Sequence, residues 1–316
     1  MFRRFCPNKI ILSACLITLA LSLTACGGDE PKETELEISK IASAENRSSE
    51  PKCLIPDTGG NEVLGDNELT VNITNRNNGY VLVHSTGEID DIKIQLSCGD
   101  SVTYTYIIPA GDSVIPLSLG DGTYNIVAYE GMGEEGMYAT KFAEEIDVKL
   151  TDEFLPFLYP NCYVKFDKSS NTVALGEQLA TGKSSDIEVV AAVYDYVVKN
   201  ITYDHERAET VKPTYVPDVD QVLVEKKGIC FDYAAVMAAM LRSQRIPTRL
   251  EFGYAGDAYH AWITTYIKDQ GWINGFIEFD GVDWTLMDPT FAANAGTKKL
   301  KSFIGDGNNY TTKYIY

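Results

Sequence analysis

The apolar residues of this chain change their spacing twice, and that change limits the folds open to it. From about residue 66 to 150 the period is two, as in Leu69-Thr-Val71-Asn-Ile73, Tyr80–Val83 and Ile92-Lys-Ile94-Gln-Leu96. The same holds for Val102–Ile108, Val114–Leu119, Tyr124–Tyr129 and Ile146–Leu150. Such alternation sends side chains to opposite faces of a strand. Turn-forming stretches separate the runs: Asn77-Asn78-Gly79, Pro109-Ala-Gly111-Asp112 and Gly120-Asp121-Gly122. Short strands punctuated in this way predict a small antiparallel sandwich, Ig-like in size. Nothing in it suggests chemistry. His84 has no second histidine near it in sequence and reads as structural.

Beyond residue 180 the step becomes three or four. Ser185–Asn200 carries Ile187, Val190, Val193, Tyr194 and Val197 as one helical stripe. Asp218–Lys227 predicts a shorter helix, with Val219, Val222 and Leu223 on one side. Ile229–Gln244 is the strongest helical pattern, with Cys230, Tyr233, Ala234, Met237 and Leu241 recurring, and Ile246-Pro247 ends it. Alternation then returns over Thr248–Tyr254, Ala261–Ile267, Gly275–Phe279 and Asp283–Met287. Helices followed by an antiparallel sheet predict an α+β domain.

The first residues read as an export signal. Arg3, Arg4 and Lys9 precede an uncharged apolar run from Ile10 to Leu23, which is short of the roughly 20 residues of a spanning helix. Leu23-Thr24-Ala25-Cys26-Gly27 resembles the lipobox of bacterial lipoproteins. That resemblance implies diacylation of Cys26 and an extracytoplasmic protein anchored to the cell membrane by lipid; two acyl chains suffice for stable anchoring. Loss of residues 1–25 would leave 24 basic against 45 acidic side chains. Such an acidic chain is poorly suited to a phosphate backbone, so nucleic acid is not an expected partner. The expected organisation is a signal peptide over 1–25, a flexible tether over 26–62, the β module over 63–152 and the α+β domain over 153–316. The tether is expected because its sequence, rich in Glu, Ser, Asn and Pro, has too little apolar content to repay ordering.

Four cysteines remain in the body: Cys53, Cys98, Cys162 and Cys230. An exported chain permits disulfides, and sequence leaves open whether Cys53, Cys98 or Cys162 pair. Cys230 differs because it follows Lys227-Gly228-Ile229 and begins the strongest helix. Unpaired N–H groups at a helix start favour a thiolate and could donate to an oxyanion. Gly228 is expected to let the chain turn into the helix and to leave room beside the sulfur. His260, between Gly256-Asp-Ala-Tyr259 and Ala261-Trp262-Ile263, stands at a strand entry from which an imidazole could take the thiol proton. Asp288, in Trp284-Thr-Leu286-Met-Asp288-Pro289, ends a strand where a carboxylate could fix the imidazole tautomer.

Together, Gly228-Ile-Cys230-Phe-Asp232-Tyr-Ala234, Tyr259-His260-Ala-Trp262 and Trp284-Thr-Leu-Met-Asp288-Pro-Thr290 resemble the transglutaminase-like superfamily. Ile201-Thr-Tyr203-Asp204 and Arg245-Ile-Pro-Thr-Arg249…Gly253-Tyr254 also match, so the likeness covers about residues 180–295. It implies a papain-like α+β core, with Cys230 as nucleophile, His260 as base and Asp288 as orienting acid. It also implies attack on an amide to give a thioester, resolved by an amine or by water. The substrate expected is a protein or peptide, including cell-wall peptide. Trp262 could line a substrate channel or be a buried strand aromatic. The second oxyanion donor is open among Tyr203, Tyr215 and Gln221.

No cofactor and no metal is expected. Three histidines, at 84, 205 and 260, do not make a histidine-rich zinc site, and Asp204-His205-Glu206 is too local to converge on one ion. Asp280, Asp283 and Asp288 lack EF-hand spacing, and no glycine-rich phosphate loop follows a strand. The alternative to an enzyme is a non-catalytic surface module that presents a binding groove. A two-lobed transport receptor does not fit one β-rich half and one α+β half.

Overall fold

The computed structural model describes residues 47–89, 91–134, 136–274, 276–279, 284–287 and 310–316. Cys26 and Asp288 lie outside the described residues, as does the predicted signal peptide.

The N-terminal half builds eight strands: β1 (Val63–Gly65), β2 (Leu69–Asn72), β3 (Tyr80–Ser85), β4 (Ile92–Cys98), β5 (Tyr104–Ile108), β6 (Gly111–Pro116), β7 (Gly122–Gly131) and β8 (Tyr138–Val148). They form two four-stranded antiparallel sheets, β1-β2-β3-β6 and β5-β4-β7-β8. Alternation decides which face is inward. Ile92, Ile94 and Leu96 of β4 and Tyr104, Tyr106 and Ile108 of β5 are buried, while Thr105 and Ile107 point out. β8 begins at Tyr138, not at Ile146 as alternation predicts. Residues 138–145 are exposed or half-buried throughout, so they leave no apolar stripe to read. Gly79 joins Arg76–Asn78 to β3 with φ at 87°, a left-handed turn that favours glycine.

Five helices follow: α1 (Asn171–Ala180), α2 (Asp186–Asn200), α3 (His205–Thr210), α4 (Val219–Glu225) and α5 (Cys230–Ser243). Sequence spacing gives α2, α4 and α5 but not α1, whose buried residues (Thr172, Val173, Gly176, Ala180) are mostly too small to make a stripe. Asp220 of α4 caps α1 from across the fold, accepting from the N–H groups of Asn171 (2.9 Å) and Thr172 (2.8 Å) and the Thr172 hydroxyl (2.6 Å). Asp218 likewise caps α4 and Ser185 caps α2. Every residue of α5 after Cys230 is buried, which makes it the central helix.

Two short strands, β9 (Thr202–Tyr203) and β10 (Lys227–Gly228), pair in parallel just before α5. A sheet of order β13-β12-β11-β16 packs on that helix, built from β11 (Thr248–Ala255), β12 (Ala258–Ile267), β13 (Gly271–Asn274) and β16 (Tyr310–Ile315). β14 (Phe276–Phe279) and β15 (Trp284–Met287) pair separately as a hairpin. The periodic runs do not predict β16, although Tyr310-Thr-Thr-Lys-Tyr-Ile is rich in strand-forming residues.

The buried side chains of the two halves form one continuous cluster. From Arg47 onward, residues of the segment predicted as tether are bound to that body. Arg47 pairs with Asp186 at 2.8 Å and donates to the Gln244 carbonyl at 2.8 Å; Gln244 donates to the Ser49 carbonyl at 2.9 Å. These are polar links, which apolar content cannot register. Among the described residues no helix is long and apolar enough to cross a membrane.

Candidate active site

Cys230 is the first residue of α5, and the local chain is built to hold it there. The carboxylate of Asp232 turns back along the helix and accepts from the Ile229 N–H at 2.7 Å, satisfying one orphan donor of the helix start. Its other oxygen accepts from the Tyr215 hydroxyl at 2.5 Å, and the Arg207 guanidinium lies 3.7 Å from the first oxygen. Arg207 also pairs with Glu225 at 3.0 Å. Asp204 caps α3 through the Arg207 N–H and pairs with Lys227 at 3.0 Å. Thus Asp204 serves as cap and counter-ion, and its run with His205 and Glu206 is the start of a helix.

Gly228 makes this clamp fit. A methyl group on it would lie 2.6 Å from the Asp232 Cβ and 3.0 Å from its Oδ2. The space that the glycine leaves is therefore filled by Asp232, not kept beside the sulfur as the sequence suggested. Gly228→Ala is expected to displace the carboxylate and cost about 1–3 kcal/mol, read as a lower urea midpoint.

Asp232 is fully buried. Burial pushes its carboxyl above the usual range, against the opposing pull of Tyr215, the Ile229 N–H and Arg207. An acid raised in the folded state favours folding while protonated, and that contribution is lost as pH rises through its folded pKa. Asp232→Asn removes the titration, so the fall in stability as pH rises above the ordinary carboxylate range should flatten. Denaturant midpoints across that range check it.

The thiol opens onto a cavity of about 600 Å³. Its walls include Tyr163, Tyr203, Tyr215, Phe231, Phe252 and Tyr259, and His260 borders it as well. Thr105 of β5 closes one side, so the N-terminal module forms part of the cavity. His260 is buried, at 6% exposure, and pairs across the sheet with Gly253. A side chain on Gly253 would strike the Thr311 carbonyl (2.0 Å) and the Trp262 ring (2.9 Å), so the glycine lets β11 and β16 approach behind the histidine. Along β12, Ala261 and Ile263 join the core that contains α5. Alternation sends His260 and Trp262 to the other face, where their rings stack at 6.2 Å. Tyr259 lies on the thiol side. Its hydroxyl is raised by burial first and then by Tyr314, Tyr254 and Cys230.

The oxyanion candidates separate. Tyr203 and Tyr215 border the cavity, with the Tyr215 hydroxyl proton committed to Asp232. Gln221 does not border it; its amide donates to Glu225 at 3.0 Å on the outside of α4. Trp262 is not a wall of the cavity either but is buried behind His260, edge-on to Tyr310 at 5.1 Å. Asp288 follows β15 directly in sequence and lies outside the described residues. Sequence reasoning missed the aromatic wall, because Tyr163, Tyr314 and Tyr316 come from segments with no recognisable motif. Cys53, Cys98, Cys162 and Cys230 are all free thiols. Burial pushes Cys162 up to about 12 and raises Cys53 and Cys98. Among the described residues no group of three or more His, Cys, Asp or Glu could hold a metal ion.

Residues 173–275 match the Transglutaminase-like superfamily, and the fold of mixed helices and sheets is transglutaminase-like. A stretch of 119 residues is 30% identical to the uncharacterized protein YebA of Bacillus subtilis (strain 168). It covers 31% of this chain but only 16% of that relative. Among solved structures, the periplasmic domain of TgpA from Pseudomonas aeruginosa, bound to ethylmercury, is 14% identical with a TM-score of 0.34, over 82% of this chain and 94% of that one. Red sea bream transglutaminase is 14% identical with a TM-score of 0.31, over 66% of this chain and 50% of that one.

Proposed function

We propose that this protein is a cysteine acyl-transfer enzyme of the cell surface, held to the membrane by lipid on Cys26 and acting on protein or peptide amides. The observation that carries the reading is that Cys230, at the start of the central helix, and His260, near the start of β12, border one cavity. In the proposed reaction the imidazole of His260 takes the thiol proton, and the sulfur attacks the amide carbonyl. The carbon–sulfur bond forms as the carbon–nitrogen bond breaks, and the amine leaves with the proton from the imidazolium. Water or a second amine then attacks the thioester, its proton passing to His260 and on to the departing sulfur. The Cys230 N–H and a wall tyrosine are the proposed oxyanion donors, and Asp288 the group that orients the ring. Contacts between nucleophile and base are often loose without substrate and tighten in the reacting complex.

The stacking of His260 on the buried Trp262 supports a second reading, a binding module without catalysis. Mass spectrometry of peptides incubated with the full chain, with and without an added primary amine, separates the two. The enzyme reading expects cleaved or amine-linked products that vanish with Cys230→Ala. Identical peptide masses for both proteins, across a broad peptide mixture, would leave only the binding module.

A further inference from the structure

We infer that the cavity takes an acyl donor with an aromatic side chain next to the reacting amide and a carboxylate reaching Lys212. This rests on the proposed role of Cys230 as the attacking thiol.

A volume of about 600 Å³ falls within the range of sites that enclose a small ligand, which are mostly apolar with a few placed polar groups. The wall is one continuous aromatic series. Tyr163 meets Phe231 at 6.0 Å, Phe231 meets Phe252 at 4.9 Å, and Phe252 stacks with Tyr259 at 6.3 Å. Tyr259, 57% exposed, then meets the exposed Tyr254 at 5.6 Å, so the series runs out to the surface. A ring entering from outside would extend the same edge-to-face and stacked contacts at every step.

A carboxamide side chain fares differently. It brings two donors and an acceptor that all need partners once buried. Three of the wall hydroxyls are already engaged, that of Tyr215 with Asp232 and those of Tyr163 and Tyr316 with each other. Among the described residues, no acidic side chain borders the cavity and Lys212 is its one cation besides any charge on His260. Lys212 is exposed on the loop between α3 and α4. On a chain of net charge -18, an ammonium group at the mouth is a local exception and a carboxylate its natural partner.

The test is binding of labelled peptides to the full chain carrying Cys230→Ala, read by fluorescence anisotropy. Three peptides of equal length present Phe-Glu, Gln-Glu or Phe-Lys at the centre. The Phe-Glu peptide should bind at least about tenfold more tightly than Gln-Glu. It should also exceed Phe-Lys, and Lys212→Glu should reverse that second preference. Tyr259→Ala, a surface truncation, should weaken the aromatic peptides several-fold. Equal or tighter binding of Gln-Glu, or a charge preference untouched by Lys212→Glu, overturns the inference. The two readings fail separately. Tight Phe-Glu binding with no turnover by the unsubstituted chain removes the acyl-transfer reading alone, whereas turnover of glutamine peptides with no aromatic preference removes this one alone.

Discussion

Cys230→Ala is expected to lower turnover of a peptide amide by about 10⁴-fold or more while leaving the denaturation midpoint nearly unchanged. The two halves of that expectation come from different parts of the structure. Turnover collapses because the sulfur is the atom proposed to form the new bond, and nothing else at the helix start can replace it. Stability is spared because Cys230 is the one residue of α5 that is not buried. Its removal also leaves the Asp232 clamp on Ile229 and Tyr215 intact. Cys230→Ser is expected to be nearly as inactive, since a hydroxyl at this position lacks the thiol's readiness to ionise. Initial rates on one substrate, with urea midpoints on the same samples, check both halves.

The largest effect on folding is expected at Arg242. This side chain is fully buried near the end of α5. Its guanidinium donates to the carbonyls of Thr248 (2.9 Å), Tyr159 (2.9 Å) and Tyr316 (2.8 Å). One fork therefore joins the central helix to the start of β11, to the segment leading out of the β module, and to the end of β16. Burial opposes its charge and lowers it to about 9; the three acceptors offset that cost. Arg242→Ala deletes all three donors and opens a cavity, at a cost of about 4 kcal/mol or more. Arg242→Lys, with a point charge in place of a planar fork, should recover only part of it. Urea unfolding monitored by tryptophan fluorescence reads the loss.

Much of this architecture is legible in the sequence because it depends on periodicity. The buried stripes of α2, α4 and α5 and the alternation of β2, β4 and β5 come from large apolar residues at regular steps. What was missed lacks such stripes. α1 buries small residues and gains its start from Asp220, 48 to 49 positions away. β16 pairs with β11 across a wide sequence gap, and Tyr314, with Tyr316 just after the strand, reaches the cavity because of that pairing. The site shows the same division. Cys230 at the helix start was readable from Gly228-Ile-Cys and the stripe that follows. The Asp232–Tyr215–Arg207 clamp was not, since it joins three segments by hydrogen bonds that leave no spacing. Trp262 and Gln221 show the limit most plainly: each lies near the site in sequence, and packing turns each away from the cavity.

The coupling between thiol and imidazole is the central claim, and alkylation of Cys230 by iodoacetamide at neutral pH tests it most directly. Cys53, Cys98 and Cys162 serve as internal references, because burial holds all three thiols up. With labelling followed by peptide mass mapping, Cys230 should be modified first, and His260→Ala should slow it by about tenfold or more. If Cys230 reacts no faster than Cys53, and at the same rate with and without the imidazole, the pair does not act together and the acyl-transfer account is wrong.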